Sequence, residues 1–187
     1  MTIKALLFDL DGTLINTREA NYIAYKKAFF NEGKNLSEES YNKNFGLCFN
    51  DLIKNIFPSC SQIEKDRIKS EKTYFYKKNF CKTKLNPSLK SILLDNRSRY
   101  KTAIVTTASK INAVEILKYH GLHNMFDVFI FGEDVKNGKP HPECYNLAMQ
   151  LLGVRSSECL VYEDSSIGIE AAKSSGASVI NVSGWIK

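Results

Sequence analysis

The sequence predicts an α/β protein: a doubly wound parallel sheet of about five strands, with an all-helical subdomain inserted between the first strand and the second. Three observations predict it. Short apolar, β-branched runs recur along the chain, helical patterns alternate with them, and one interval of about seventy residues shows helical periodicity but no convincing strand.

The first run, Ile3 to Phe8, reads as a strand that ends in two carboxylates, Asp9 and Asp11, followed by Gly12 and Thr13. From about Asn16 to Leu85 the pattern is helical, punctuated by Gly33, Gly46 and Pro58, and opens with a helix from Asn16 to Phe30 carrying Ile23, Ala24, Ala28 and Phe29. That interval is too long for a crossover and too structured for a loop. Residues 16–85 are therefore expected to form a helical cap subdomain, and residues 1–15 with 86–187 an α/β core domain. Strands follow at Thr102 to Thr106, Val128 to Phe131, Cys159 to Glu163 and Val179 to Val182. Helices are expected at Ser109 to His120, with Ile111, Val114 and Leu117 on one face, at Pro142 to Leu152 and at Ser166 to Ser175. Four of the five strands are continuously apolar, as parallel strands covered on both faces are. The alternation implies right-handed βαβ units.

A hydrophobic fraction of 43% with 25% charged residues excludes a disordered chain and fits a soluble globular one. No apolar run approaches the roughly 20 residues of a spanning helix. The start, Met1-Thr2-Ile3-Lys4, enters a strand directly, without the apolar segment of a signal peptide. A cytoplasmic location and no membrane partner are expected. Cys48, Cys60, Cys81, Cys144 and Cys159 are odd in number, scattered and without a CxxC pair, so free thiols are expected. The net charge of +6 is concentrated partly in Lys65, Arg67, Lys69, Lys72, Lys77, Lys78, Lys82 and Lys84. Such a surface attracts anions. A solvated helix face is expected there, with Tyr74, Phe75, Tyr76 and Phe80 serving as core and no nucleic-acid partner; an anion- or nucleic-acid-binding module with a relic active site is the alternative from another class.

In a parallel α/β sheet, ligands gather outside the carboxyl ends of the strands. Asp9 and Asp11 follow the first strand, Thr106 and Thr107 the second, Lys139 lies in GKPHPE after the third, and Glu163, Asp164, Ser165 and Ser166 end the fourth. Alternation along a strand would set Asp9 and Asp11 on one side, crowded further by Glu163 and Asp164. A hard cation held by oxygen relieves that repulsion, with Mg²⁺ the natural candidate, and leaves positions for water and a substrate phosphate. Lys139 would neutralise one phosphoryl oxygen and the Thr106 hydroxyl would donate to another, with Thr107 offering its backbone amide. A carboxylate can attack phosphorus while a second moves the proton. Asp9, at the strand end, suits the nucleophile, and Asp11, in the turn that Gly12 permits, suits the acid/base. His141 is expected to pack near a helix start, and Gly168 with Ala171 and Ala172 to bring a helix close to the sheet.

DLDGTL, a hydrophobic strand ending in Thr, the isolated lysine of GKPHPE and VYEDSSIGIEAAKSSGA together resemble the four motifs of the haloacid dehalogenase superfamily. The insertion point resembles the helical-cap subfamily that includes phosphoglycolate phosphatases and β-phosphoglucomutases. The resemblance implies a Rossmann-like core and a Mg²⁺-dependent phosphatase acting through an aspartyl-phosphate on a small phosphorylated metabolite, with a phosphomutase as the alternative. It makes Asp9 nucleophile and metal ligand, Asp11 an acid/base whose backbone carbonyl also meets Mg²⁺, Thr106 and Lys139 phosphoryl binders, and Glu163 with Asp164 the remaining metal carboxylates. Where related mutases place a cap histidine and arginine, this chain has Asn21 and Phe49, which weakens the mutase reading. Asn21 and the loop from Gly46 to Phe49 are the candidates for substrate selection.

Overall fold

In the computed structural model, which describes residues 2–185, the apolar run Ala5–Phe8 forms β1, buried along its whole length. The chain passes through β2 (Ile15–Asn16) into α1 (Arg18–Asn31), α2 (Glu38–Lys43), α3 (Phe49–Ile56) and α4 (Gln62–Lys78), and returns through β3 (Lys84–Leu85). Then α5 (Pro87–Asn96) leads to β4 (Lys101–Val105), α6 (Lys110–Tyr119), β5 (Val128–Ile130) and α7 (Glu143–Leu152). The sequence closes with β6 (Cys159–Glu163), α8 (Ser166–Ser174) and β7 (Ser178–Asn181). The chain falls into two units, Met1–Asn16 with Leu85–Lys187, and Thr17–Lys84.

In the first unit five strands form one parallel sheet in the order β5-β4-β1-β6-β7. Successive side chains of a strand point to opposite faces. Ala5, Leu7, Ala103, Val105 and Val161 accordingly share one core with Tyr145, Ala148 and Met149 of α7 and Ala171 and Ala172 of α8. On the alternate positions Phe8 stacks on Tyr162 at 4.9 Å and meets Phe126 edge-on. The chain builds outward from β1 to β4 and β5, then resumes at β6 on the other side of β1. That reversal is the switch point at which parallel sheets open a crevice.

Two local readings need correction. In α6 the buried residues are Asn112, Ala113, Ile116 and Leu117, while Ile111 is exposed. The true stripe runs i, i+3, i+4 from Ala113, and small Ala113 gave a weaker hydrophobic signal than Ile111. Helix α5 is an element beyond those the sequence pattern predicts, and its start carries a cap: Asn86 Oδ1 accepts from the amides of Ser88 and Leu89, and Pro87 stands at the first turn, where its missing N–H costs nothing.

The second unit is helical, and α1 and α4 pack along each other. Its core holds Tyr25, Ala28, Phe29, Leu36, Tyr41, Leu52, Ile53 and Ile68. Ser61 and Glu64 close a reciprocal capping box at the start of α4. Of the basic stretch, Lys72 is buried, its ammonium 4.3 Å from the ring centre of Tyr76 and 5.0 Å from that of Tyr25. Tyr76 and Phe80 are core as expected, whereas Tyr74 is exposed.

Candidate active site

The register of the sheet builds the site. Phe8 lies level with Ile104 on β4 and Tyr162 on β6, so the next residues, Asp9 just past β1 and Val105 and Glu163 at the ends of β4 and β6, come side by side. Asp164 follows at once. Carboxylate oxygens of Asp9, Glu163 and Asp164 lie within 4.8 Å of one another, the one grouping of metal-ligating side chains among the described residues. The Asp11 carboxylate stands outside it. Asp9 directly follows β1, its amide still bonded to the Tyr162 carbonyl, whereas Asp11 lies beyond it in the turn, where strand alternation no longer holds.

Lys139 sits among these acids. Its Nζ donates to Asp9 Oδ1 at 2.7 Å, Glu163 Oε1 at 2.5 Å and the Val105 carbonyl at 3.2 Å, with only 3% of its side chain exposed. Burial alone would lower the Lys139 pKa, but the carboxylates of Asp9 and Glu163 outweigh it and hold it well above its usual value. Burial and the neighbouring charge of Glu163 push Asp9 well above the usual carboxylate range, against the pull of Lys139. Glu163 goes the other way: burial would raise it, and Lys139 with the amide and hydroxyl of Ser165 keeps it low. Asp164 is raised by burial and by Glu163, partly offset by the hydroxyl of Thr13.

Glu163 is wholly enclosed. Tyr145 on α7 donates its hydroxyl to Oε1 at 3.2 Å, and α8 comes so close that a Cβ on Gly168 would lie 1.8 Å from that same oxygen. The expected close approach of helix to sheet is thus an approach to one particular carboxylate. In the first turn, Gly12 has φ +97, and a Cβ there would meet Asp164 Oδ2 at 2.4 Å. The turn is fastened to the end of β6 where Thr13 Oγ1 donates to Asp164 Oδ1 at 2.8 Å.

At the end of β4, Thr106 is buried, and its Oγ1 accepts from the amide of Ala108 at 3.0 Å, which leaves the hydroxyl proton to be given elsewhere. Thr107 is half-buried beside it. Asn21 belongs to the helical unit, where it is buried and its Nδ2 donates to Thr17 Oγ1 at 3.1 Å. His141 is an exposed residue whose Nδ1 accepts from the Glu143 amide at 3.3 Å. The sequence reading missed Thr13 and Tyr145. A tyrosine in the middle of an apolar helix face was the available signal, since a buried hydroxyl requires a partner.

A hard divalent cation fits this donor set. Every ligand atom offered is a carboxylate oxygen, and the one ammonium beside the three carboxylates bonds only Asp9 and Glu163, so negative charge remains for a cation such as Mg²⁺ to neutralise. The five cysteines are free thiols and none belongs to the cluster. No helix among the described residues is long and apolar enough to cross a membrane.

Residues 6–182 match the haloacid dehalogenase-like hydrolase family. A phosphorylated carbohydrates phosphatase of Thermotoga maritima is 33% identical over 180 residues, covering 93% of this chain and 82% of that protein. Among solved structures, CbbY of Rhodobacter sphaeroides in complex with phosphate superposes with a TM-score of 0.90 at 26% identity, over 98% of this chain and 87% of its own. A β-phosphoglucomutase of Clostridium difficile gives a TM-score of 0.87 at 27% identity, over 96% and 84%.

Proposed function

Because the chain belongs to the haloacid dehalogenase-like hydrolases, we propose that it is a Mg²⁺-dependent phosphatase, hydrolysing a small phosphorylated metabolite through an aspartyl-phosphate on Asp9. A sugar phosphate or a phosphoglycolate-like compound is the substrate class. The observation that carries this reading is the cluster of Asp9, Glu163 and Asp164 around Lys139 at the strand ends.

Lys139 engages Asp9 Oδ1, which leaves Oδ2 as the attacking atom. The new bond forms between Asp9 and phosphorus as the bond from phosphorus to the ester oxygen breaks, and Asp11 gives its proton to the departing alkoxide. Water then attacks the phosphorus of the acyl phosphate, Asp11 takes the water's proton, and inorganic phosphate leaves with Asp9 restored as carboxylate. Asp11 suits this duty because its carboxylate lies outside the grouping of Asp9, Glu163 and Asp164. The Thr106 hydroxyl donates to one phosphoryl oxygen and the Lys139 ammonium balances charge on another, with the Thr107 amide beside them. Asp9, Glu163 and Asp164, joined by the Asp11 carbonyl, would hold Mg²⁺, which when bound neutralises the spreading charge of phosphoryl transfer. The helical unit is the proposed cap, with Asn21 and the loop from Gly46 to Phe49 its proposed selectors of substrate.

A phosphomutase keeps the same core chemistry and returns the phosphate to a second hydroxyl; the likeness to a β-phosphoglucomutase structure makes it the second reading. Product analysis by NMR on hexose 1-phosphates separates the two, with inorganic phosphate expected and no isomerised sugar. The decisive test of the chemistry is Asp9→Asn. Hydrolysis of a generic phosphate ester is expected to vanish, and near-wild-type turnover would end the aspartyl-phosphate reading.

A further inference from the structure

The Gly12 turn is held at one more point, by a residue distant in sequence. After β7 the amide of Val182 donates to the Glu163 carbonyl at 2.8 Å, and three residues later the indole Nε1 of Trp185 donates to the Gly12 carbonyl at 2.7 Å. Between them Ser183 donates its amide to Asn181 Oδ1 and Gly184 turns at φ +95. Residues 182–185 thus form a strap from the backbone of Glu163 to the backbone of the turn that carries Asp11.

We propose that Trp185 is a positioning residue for the phosphoryl-transfer site: its indole N–H fixes the Gly12–Thr13 peptide, and through it Asp11 and Asp164. A planar trans peptide has its carbonyl and its N–H pointing in opposite directions, so holding the Gly12 carbonyl also sets the direction of the Thr13 amide. The residue before Gly12 is the proposed acid/base. The residue after it donates its hydroxyl to Asp164, against which Gly12 itself is packed. A change in the position or charge of Asp164 therefore reaches the indole through one residue. Trp185 is the chain's one tryptophan, so its emission reads this turn alone.

The inference rests on the phosphatase reading, and two measurements test it separately from that reading. In Trp185→Phe the ring stays and the donor is lost: kcat for phosphate esters is expected to fall about tenfold, roughly the worth of one hydrogen bond, with little change in KM or melting temperature. Wild-type kcat in this variant overturns the proposal. Equilibrium emission of the wild-type protein, titrated with Mg²⁺ and then with inorganic phosphate, is expected to change saturably, and Mg²⁺ is expected to leave it unchanged in Asp164→Asn. An enzyme that turns over ester while its emission stays blind to Mg²⁺ also overturns the proposal, even if Trp185→Phe does not fold. A wild-type protein without turnover overturns the phosphatase reading instead, and the titration still reports whether a cation reaches the turn.

Discussion

Lys139 has three N–H bonds to give, and Asp9, Glu163 and the Val105 carbonyl accept all three inside the sheet's edge. The sequence showed a lone lysine between Gly138 and Pro140, and only its place after the third strand suggested chemistry. What the sequence could not show is that this ammonium compensates two buried carboxylates. Its removal leaves those acids facing each other without a counter-charge. Breaking a buried ion pair by deleting one partner typically costs about 3–5 kcal/mol. Lys139→Met is therefore expected to lose stability of that order in urea unfolding at neutral pH without divalent cation, besides losing turnover. An unfolding midpoint equal to wild type would show that the acids are compensated by other groups.

At the scale of elements, the strand ends were legible because each carries residue types that a buried apolar strand has no structural use for: paired acids, adjacent threonines, an acid pair before a helix. Helix faces were less so. Ile111 draws the α6 stripe to the wrong side because hydrophobicity is not contact, and Tyr145 of α7 has no motif around it to mark its hydroxyl. The start of α8 shows how much an element's position depends on one missing atom. Gly168 lets the helix sit against Glu163 Oε1, where a Cβ would be only 1.8 Å away. Gly168→Ala must displace either α8 or the carboxylate that orients Lys139, and overpacking of this kind costs about 1–3 kcal/mol. A lowered unfolding midpoint is expected together with reduced turnover. Unchanged values for both would mean that Glu163 yields freely and is not a fixed anchor.

Across the whole molecule, the sheet order gathers residues more than 150 positions apart, Thr13 and Asp164 among them, onto one edge where negative charge outnumbers positive. The order could not be read from the sequence, since alternation of strands and helices predicts neighbours along the chain but not which side of β1 receives β6. That arrangement stores a repulsion that only the folded chain possesses, because the unfolded chain lets the acids separate. A ligand that binds the folded state alone raises its stability in proportion to RT ln(1 + [L]/Kd). Mg²⁺ is accordingly expected to raise the melting temperature in a saturable way, with EDTA reversing the shift and Asp164→Asn abolishing it. The sign with pH follows from Asp9, whose pKa burial and Glu163 hold above the ordinary carboxylate range. A proton on Asp9 competes with the cation, so the Mg²⁺-induced shift should shrink as pH falls through that raised pKa, at a higher pH than an ordinary aspartate would require. Melting curves with and without Mg²⁺ across pH 4 to 8 check this. A shift that is constant over the range, or that survives Asp164→Asn, would place the cation away from the strand ends.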